Sequence, residues 1–207
     1  MVTLVVVVVG SYLLGSIPFG FLIGRIAGVD IRGTGSGNVG ATNVVRVLGK
    51  RYGYPVFVLD FLKGFGAVKI SLLLATGPPP NWNSPEIFGI IAAVSSVVGH
   101  SYPPWLMFKG GKGVATSAGA LFALTAVGGL IGLAIWIVIF SLTRYVSVAS
   151  VTAALLLPIV ILVISRRNEA GNGIFYFSVC AAAVVVWRHR SNLSRLVHGT
   201  EPRFTRK

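Results

Sequence analysis

The stretch VATSAGALFALTAVGGLIGLAIWIVIFSLT, residues Val114–Thr143, contains 30 residues and no charge. A single helix of that length would rise about 45 Å, whereas the hydrocarbon core of a bilayer is about 30 Å thick. One strongly tilted helix is therefore one interpretation. The other is a hairpin of two short helices, for which Gly128 and Gly129 near the middle offer a turn.

The distribution of Lys and Arg decides between these two interpretations. With a hairpin and the N-terminus outside, 14 of these residues lie on the inner side and two, Arg166 and Arg167, on the outer side. With a single span, every later segment changes its orientation in the membrane. Nine Lys and Arg residues then lie on the inner side and seven on the outer side. Because basic residues concentrate on the cytoplasmic side of membrane proteins, the charges favour the hairpin and a cytoplasmic C-terminus.

The composition of the whole chain agrees with a membrane protein. Of 207 residues, 54% are hydrophobic and 11% are charged, and the mean hydropathy is +0.82. These values exclude an ordinary soluble enzyme, a disordered chain and a disulfide scaffold. The net charge of +13 therefore indicates orientation and attraction to anionic headgroups or substrates, and not nucleic-acid binding.

Five further apolar runs accompany the hairpin: Val2–Gly24, Pro55–Thr76, Ile87–His100, Val148–Ser165 and Ile174–Trp187. Together they predict an all-α integral membrane protein, a compact bundle of seven transmembrane helices with the N-terminus outside. No second domain is apparent, so residues 1–207 are predicted to form a single domain. No segment outside the membrane is long enough to bury its own core, which places the chemistry at the cytoplasmic face.

The first polar segment on the inner side is RGTGSGNVGATNVVR, residues 32–46. It contains the pattern G-x-G-x-x-G at Gly35, Gly37 and Gly40, but neither a strand nor a βαβ unit surrounds it, which argues against a dinucleotide site. Glycines do allow backbone N–H groups to converge on an anion. The alternative is an ordinary glycine-rich turn beside the headgroup layer.

A helix over residues 39–48 is predicted to follow, with Asn38 as its cap and Gly49 as its stop. Asn38, Thr42 and Arg46 would then share one face of that helix. With Ser36 they would form a polar surface large enough for a phosphate. The positive end of the helix would add to the attraction for an anion.

Two more polar segments lie on the inner side. In KGGKGVAT, residues 109–116, Lys112 stands at the start of a helix behind glycines, which suits either anion binding or a flexible basic loop. In RHRSNLSRLVHGTE, residues 188–201, His189 and Asn192 are one helical turn apart. His189 has the pKa range of a general base. The alternative for this segment is a basic amphipathic tail on the headgroup layer.

Ionisable residues also occur within the apolar runs. Asp60 and Lys63 lie one turn apart in the second run, and a structural ion pair is favoured over a functional role because the two charges neutralise each other. His100 is predicted to be structural. Polar groups at the start of a later inner helix would either join the site or cap that helix: Arg144, Ser147 and Ser150.

Taken in order, these segments resemble a known family. GSGNVGATNVVR, GGKGVAT and HRSNLSRLVHGTE are similar to motifs of the bacterial acyl-phosphate-dependent glycerol-3-phosphate acyltransferases, and LDFLKG and TRYVSVAS fit as well. The resemblance extends from Gly15 to Glu201. It implies transfer of a fatty acyl group from acyl phosphate to the 1-hydroxyl of glycerol 3-phosphate, giving lysophosphatidic acid and inorganic phosphate in phospholipid biosynthesis.

The resemblance also implies a setting for that activity. It implies a multi-pass protein of the bacterial inner membrane, active as a monomer among membrane lipids, with its site facing the cytoplasm. Acyl phosphate and glycerol 3-phosphate are its implied partners. No metal, no other cofactor and no nucleic acid are implied.

Site residues follow from the resemblance by position. Ser36 and Arg46 match an essential serine and arginine, Lys112 matches the glycerol 3-phosphate site, and His189 and Asn192 match an active-site pair. Glu201 matches a structural acid. Further substrate- or phosphate-binding positions are implied: Gly35, Gly37, Asn38, Thr42, Gly110, Gly111, Gly113 and Ser147.

The chemistry supports the resemblance, because two anionic substrates need a cationic, amide-rich pocket beside an apolar groove. An acyl phosphate is already activated, so positioning and electrostatic stabilisation would provide most of the rate. The proton of the hydroxyl would pass to a substrate phosphate or to His189. Rival classes lack support: a CDP-alcohol transferase needs paired aspartates, and a phosphate transporter needs charges near the bilayer midplane.

Overall fold

The computed structural model describes residues 1–75, 84–168 and 173–204, except for the side chains of 166–168. Ten α-helices and no β-strand occur in these ranges, which confirms the all-α prediction. The helices fall into two compact units, Met1–Leu124 and Thr125–Lys207. The side chains of Arg166 and Arg167, predicted to lie outside the membrane, are beyond the described residues, as are the last two basic residues of the tail.

The first unit contains six α-helices and one 3₁₀ turn in its described residues. They are α1 (Val2–Ser16), α2 (Phe19–Ile26), α3 (Ala41–Leu48), α4 (Lys50–Leu74), α5 (Pro85–Ser101), the turn Pro104–Leu106, and α6 (Val114–Leu124). Helix α4 packs against α6, α5 and α3, and α1 packs against α5 and α4. Helix α4 is thus the central element of this unit.

Glycines allow α4 and α6 to approach closely. A Cβ on Gly119 of α6 would overlap the carbonyl oxygen of Phe61, and a Cβ on Gly64 of α4 would overlap that of Thr116. Small residues at such crossings bring helix backbones together, which is how membrane helices gain packing energy without a hydrophobic driving force.

The predicted first span is interrupted between α1 and α2. Pro18 has no N–H and disfavours helical geometry in the preceding residue, and Ile17 accordingly adopts φ −61° and ψ 116°. The Ile17 carbonyl accepts a hydrogen bond from Lys63 Nζ at 2.8 Å. Because a buried ammonium of α4 bonds to this carbonyl, the break is part of the packed interior of the unit.

The uncharged run of residues 114–143 is divided into two helices, as the charge pattern predicted. The break lies at Thr125, which is extended at φ −150° and ψ 103°, and its side chain accepts from Gly128 N to cap the next helix. The prediction of a turn at Gly128 and Gly129 is wrong. A Cβ on Gly128 would lie 2.6 Å from Ile161 Cδ1, so this glycine serves helix packing.

The described part of the second unit contains α7 (Ala126–Thr143), α8 (Val146–Asn168), α9 (Gly173–Arg188) and α10 (Arg190–Val197). Helix α8 packs against both α7 and α9. Arg144 ends α7 in a left-handed conformation at φ 63°, and its carbonyl accepts from Phe204 N at 3.0 Å. The segment after α10 therefore returns to the junction between α7 and α8.

Within the described ranges, four helical stretches are long and apolar enough to cross a membrane by length and composition: Val2–Ile26, Pro85–Leu106, Ala126–Thr143 and Val146–Ser165. Val114–Leu124 and Gly173–Arg188 are shorter apolar helices. Helix α4 is long, but its apolar part contains Asp60, Lys63 and Lys69. These lengths agree with a multi-pass membrane protein.

Candidate active site

The loop before α3 begins with an ion pair between neighbours. Arg32 contacts Asp30 through Nη2 at 2.7 Å and through Nε at 3.0 Å. The hydrogen bonds from Arg32 lower the pKa of Asp30 to about 2, and the same pairing raises the pKa of Arg32. The guanidinium of Arg32 is therefore paired with Asp30. Arg46 is the second cation of residues 32–46.

Asn43 organises the glycine loop from beneath. Its side chain is 1% exposed. Oδ1 accepts from the backbone N–H of Ser36 at 2.8 Å, and Nδ2 donates to the carbonyls of Ile31 and Thr34 at 3.2 and 3.0 Å. Only glycine fits at position 35, because its φ is +62° and Asn43 Oδ1 occupies the space where a Cβ would lie. Asn43 was not predicted from the sequence as a site residue.

Ser36 is exposed at the tip of this loop, between Gly35 and Gly37, both with positive φ. Helix α3 begins at Ala41 with Gly40 as its cap, so the predictions that it starts at residue 39 and that Asn38 caps it are wrong. Asn38 Oδ1 instead accepts from Gly40 N at 2.9 Å. Such a local turn competes with helix formation.

Thr42 and Arg46 do lie on α3, four residues apart, and Gly49 ends the helix at φ +86° as predicted. Asn38 lies outside the helix, so only two of the three residues predicted to share one helix face, Thr42 and Arg46, do so. Ser36 and Arg46 are both exposed. The structure thus leaves a hydroxyl and a guanidinium at the surface of one organised segment.

Replacing Asn43 with alanine should loosen the Ser36 loop. The variant leaves the Ser36 N–H and two carbonyls without their partner, and an unpaired buried group costs about 1–3 kcal/mol. We expect a lower thermal unfolding temperature in detergent together with a slower rate of the reaction that the resemblance implies. Asn43→Asp is the matched control, because it retains the acceptor for Ser36 and should lose less. Equal losses in both variants would contradict the role of Oδ1.

The second motif is held by the end of α5. Gly110 N donates to the carbonyl of Ser101, and Gly111 N to that of His100, both at 3.1 Å. Gly113 has φ +80°, and α6 begins directly after it, as expected. Lys112 is half-buried between these fixed glycines. Backbone hydrogen bonds therefore hold the motif as a turn against the end of α5.

A buried ionic cluster lies beneath the second motif. Asp60 Oδ1 is 2.9 Å from Lys63 Nζ, and the two side chains are 3% and 2% exposed. His100 Nδ1 lies 3.5 Å from the same Asp60 oxygen. The predicted pairing of Asp60 with Lys63 is confirmed, and His100 extends it to the glycine segment.

The third motif spans two helices, where the sequence predicted one. Helix α9 ends at Arg188, and His189 caps α10 at φ −97° and ψ 3°. The imidazole is buried, with Nδ1 2.8 Å from the carbonyl oxygen of Val185. Because a carbonyl only accepts, Nδ1 carries the proton. Nε2 is then the nitrogen that bears a lone pair in the neutral ring, as a general base requires.

Glu201 joins three polar side chains of the second unit. Oε1 accepts from Asn192 Nδ2 at 2.7 Å and from Ser147 Oγ at 2.9 Å, and Oε2 accepts from Arg195 Nε at 2.9 Å. Burial by itself would raise the pKa of Glu201, but these hydrogen bonds outweigh it and lower the pKa. The geometry agrees with the structural role that the resemblance implied. It also occupies one amide N–H of Asn192.

The lowered pKa predicts a pH dependence of stability. A carboxyl with a depressed folded pKa stabilises the protein fully above its ordinary pKa of 4.5 and loses that contribution as pH falls through the folded value. Wild type should therefore unfold at a higher temperature than Glu201→Gln at neutral pH. The difference should shrink as pH falls below about 4.5. A constant difference across pH, measured by thermal unfolding in detergent, would contradict this account.

The structure joins the predicted site residues Asn192 and Ser147 of the second unit through Glu201. Among the described residues of the first unit, Gly110 and Gly111 lie on His100, whereas the hydrogen bonds given above do not join Ser36 or Arg46 to Lys112. In residues 1–75, 84–168 and 173–204 no three His, Cys, Asp or Glu side chains group as metal ligands would. The absence of a metal requirement stays a prediction. Asn43 could have been found as a polar residue beside Val44 on the buried side of α3.

Comparison with known proteins identifies the family. Residues 5–199 match the family model described as glycerol-3-phosphate acyltransferase. A protein of that name from Desulforamulus reducens is 41% identical over 207 residues, covering 100% of this chain and 98% of the relative.

Two solved structures agree with this assignment. PlsY, an integral membrane glycerol 3-phosphate acyltransferase, superposes in its glycerol 3-phosphate form with a TM-score of 0.86 at 40% identity, covering 98% of this chain and 96% of that one. Its lysophosphatidic acid form gives 0.84 at 40% identity, covering 98% and 95%. The chain therefore belongs to the glycerol-3-phosphate acyltransferase family of integral membrane enzymes.

Proposed function

We propose that this enzyme transfers a fatty acyl group from acyl phosphate to the 1-hydroxyl of glycerol 3-phosphate, releasing lysophosphatidic acid and inorganic phosphate. The observation that carries the proposal is the ordered occurrence of the three motifs in a chain 40% identical to a protein solved in both glycerol 3-phosphate and lysophosphatidic acid forms. The acceptor and product named there suit the polar turns described above.

The residues support such a transfer in chemical terms. The 1-hydroxyl oxygen attacks the acyl carbon, the bond from that carbon to the phosphate oxygen breaks, and phosphate leaves with the electron pair. Ser36 and Arg46 would bind phosphoryl oxygens of the donor, and Lys112 the phosphate of the acceptor. The hydroxyl proton passes to a phosphate oxygen or to Nε2 of His189.

The proposed setting is the bacterial inner membrane, with the site facing the cytoplasm and the monomer as the active form. The seven segments would be α1 with α2, α4, α5, α6, α7, α8 and α9. The charge distribution supports an outer N-terminus and an inner C-terminus. A Ser194→Cys variant in a Cys180→Ser background tests this orientation, because an impermeant thiol reagent should not label it in intact cells.

The reaction is tested with purified protein in detergent, palmitoyl phosphate and labelled glycerol 3-phosphate. Labelled lysophosphatidic acid is the expected product, with release of one phosphate for each acyl group transferred. Parallel reactions with palmitoyl-CoA and with palmitoylated acyl carrier protein as donors should give no product. Product from these donors alone would overturn the proposed donor and leave the family assignment intact.

Lys112→Met should weaken the use of glycerol 3-phosphate more than the use of acyl phosphate. Loss of one charged hydrogen bond costs about 1.5–3 kcal/mol, which corresponds to a roughly 10- to 150-fold higher KM for the acceptor. Lys109→Met is the matched control, because Lys109 is exposed and precedes the fixed glycines. A variant that lost donor affinity alone would contradict the assignment of Lys112.

A further inference from the structure

The imidazole of His100 lies directly on Gly111. A Cβ on Gly111 would meet Cε1 of that ring at 2.7 Å and Cδ2 at 3.0 Å, with Nε2 closer still. The main chains of the two residues are also joined, because Gly111 N donates to the carbonyl of His100 at 3.1 Å. His100 thus fixes both the position of Gly111 and its orientation, one residue before Lys112.

The ring of His100 is itself fixed from its other side. Its Nδ1 lies 3.5 Å from Asp60 Oδ1, and that oxygen is 2.9 Å from Lys63 Nζ. Lys63 in turn donates to the carbonyl of Ile17 at 2.8 Å. The His100, Asp60 and Lys63 side chains are each no more than 7% exposed. A chain of buried contacts therefore runs from the α1–α2 break to the glycine segment.

We propose that His100 is a positioning residue for Lys112. Its ring sets where Gly111 lies, and hence the direction from which the Lys112 ammonium reaches the phosphate of the acceptor; Asp60 and Lys63 hold the ring. This inference rests on the proposed function, since it assigns a role in glycerol 3-phosphate binding. His100 acts through Gly111 and does not touch the substrate.

A double-mutant cycle between His100 and Gly111 tests the proposal. Gly111→Ala places a methyl group against the ring, whereas His100→Asn removes the part of the ring over Gly111 and keeps a nitrogen where Nδ1 faces Asp60. Gly110→Ala is the matched control. Its Cβ would meet the backbone oxygen of His100, and Pro103 Cδ at 2.5 Å, so changing the His100 side chain cannot relieve it.

We expect Gly111→Ala in the wild-type background to raise the KM for glycerol 3-phosphate by about 10- to 100-fold, as a misplaced binding group does. In the His100→Asn background, Gly111→Ala should raise the KM for glycerol 3-phosphate by less than about threefold, because the obstructing ring atoms are gone. The effect of Gly110→Ala should be equal in both backgrounds. The KM for acyl phosphate should change by less than about threefold throughout.

Other outcomes overturn the inference. An equal effect of Gly111→Ala in both backgrounds would show that the ring does not position the segment, and so would a change confined to the KM for acyl phosphate. If His100→Asn does not fold, the cycle is run with His100→Ala, and failure of both to fold would assign His100 to the fold alone. Absence of product with wild-type enzyme refutes the proposed function instead.

Discussion

Ser36→Ala and Arg46→Ala should each reduce acyl transfer by roughly 10- to 150-fold while the protein stays folded, because a hydrogen bond to a charged group is worth about 1.5–3 kcal/mol. Ser36 stands exposed between two glycines with positive φ, where its hydroxyl can reach a phosphoryl oxygen. Arg46 is exposed on the helix that follows. Neither side chain belongs to the buried core, so their loss should affect turnover and not stability.

Steady-state rates with acyl phosphate and glycerol 3-phosphate measure these effects, and thermal unfolding in detergent checks the fold. Arg51→Ala is a matched control for Arg46, because Arg51 is an exposed arginine in the next helix. Arg46→Lys should recover only part of the activity, since lysine keeps the charge but loses the bidentate geometry. Near wild-type turnover of Ser36→Ala or Arg46→Ala would show that the replaced side chain does not bind the substrate.

Asp60→Ala should cause the largest loss of stability in the first unit. Removing one partner of a buried ion pair leaves an uncompensated charge and costs about 3–5 kcal/mol. Lys63 would lose the carboxylate at 2.9 Å, and His100 would lose the contact that holds its ring. We expect this loss as a lower free energy of unfolding in mixed micelles.

Two further variants distinguish the loss of the Asp60–Lys63 ion pair from a general effect of removing a charge from α4. Asp60→Leu combined with Lys63→Met should be less damaging than Asp60→Ala, because apolar side chains of similar volume leave no unpaired charge. Lys69→Met, at an exposed position of the same helix, should have little effect. A double variant as unstable as Asp60→Ala would show that the loss comes from packing.

Apolar runs predicted the helical content, because hydrophobic periods are local in sequence, and the distribution of Lys and Arg along the whole chain predicted the division of residues 114–143. The position of that division was mispredicted at Gly128, since the capping hydroxyl of Thr125 and the space left by Ile161 appear only in the folded unit. Helix α3 was predicted within two residues at its start. Its end at Gly49 needs only a positive φ, which glycine adopts readily and which the sequence therefore reveals.

The candidate site divides in the same way. Ser36, Arg46 and Lys112 could be named from motifs, because glycine and charge patterns mark them in the sequence. Asn43 could not be assigned a role, and His100 was predicted only to be structural. Each acts through backbone groups that only the folded chain brings near: Ile31 and Thr34 for Asn43, and Gly111 for His100.

The contact between Lys63 and the Ile17 carbonyl has an evolutionary consequence. Pro18 interrupts one helix, and Lys63 places a charge inside another, so each departs from what a membrane helix favours. Here the ammonium of Lys63 donates a hydrogen bond to the carbonyl of Ile17, the residue beside Pro18. A neutral substitution at position 63 would cost less in a descendant that had also restored a continuous helix at position 18. The two positions, 45 residues apart, should therefore tend to change together.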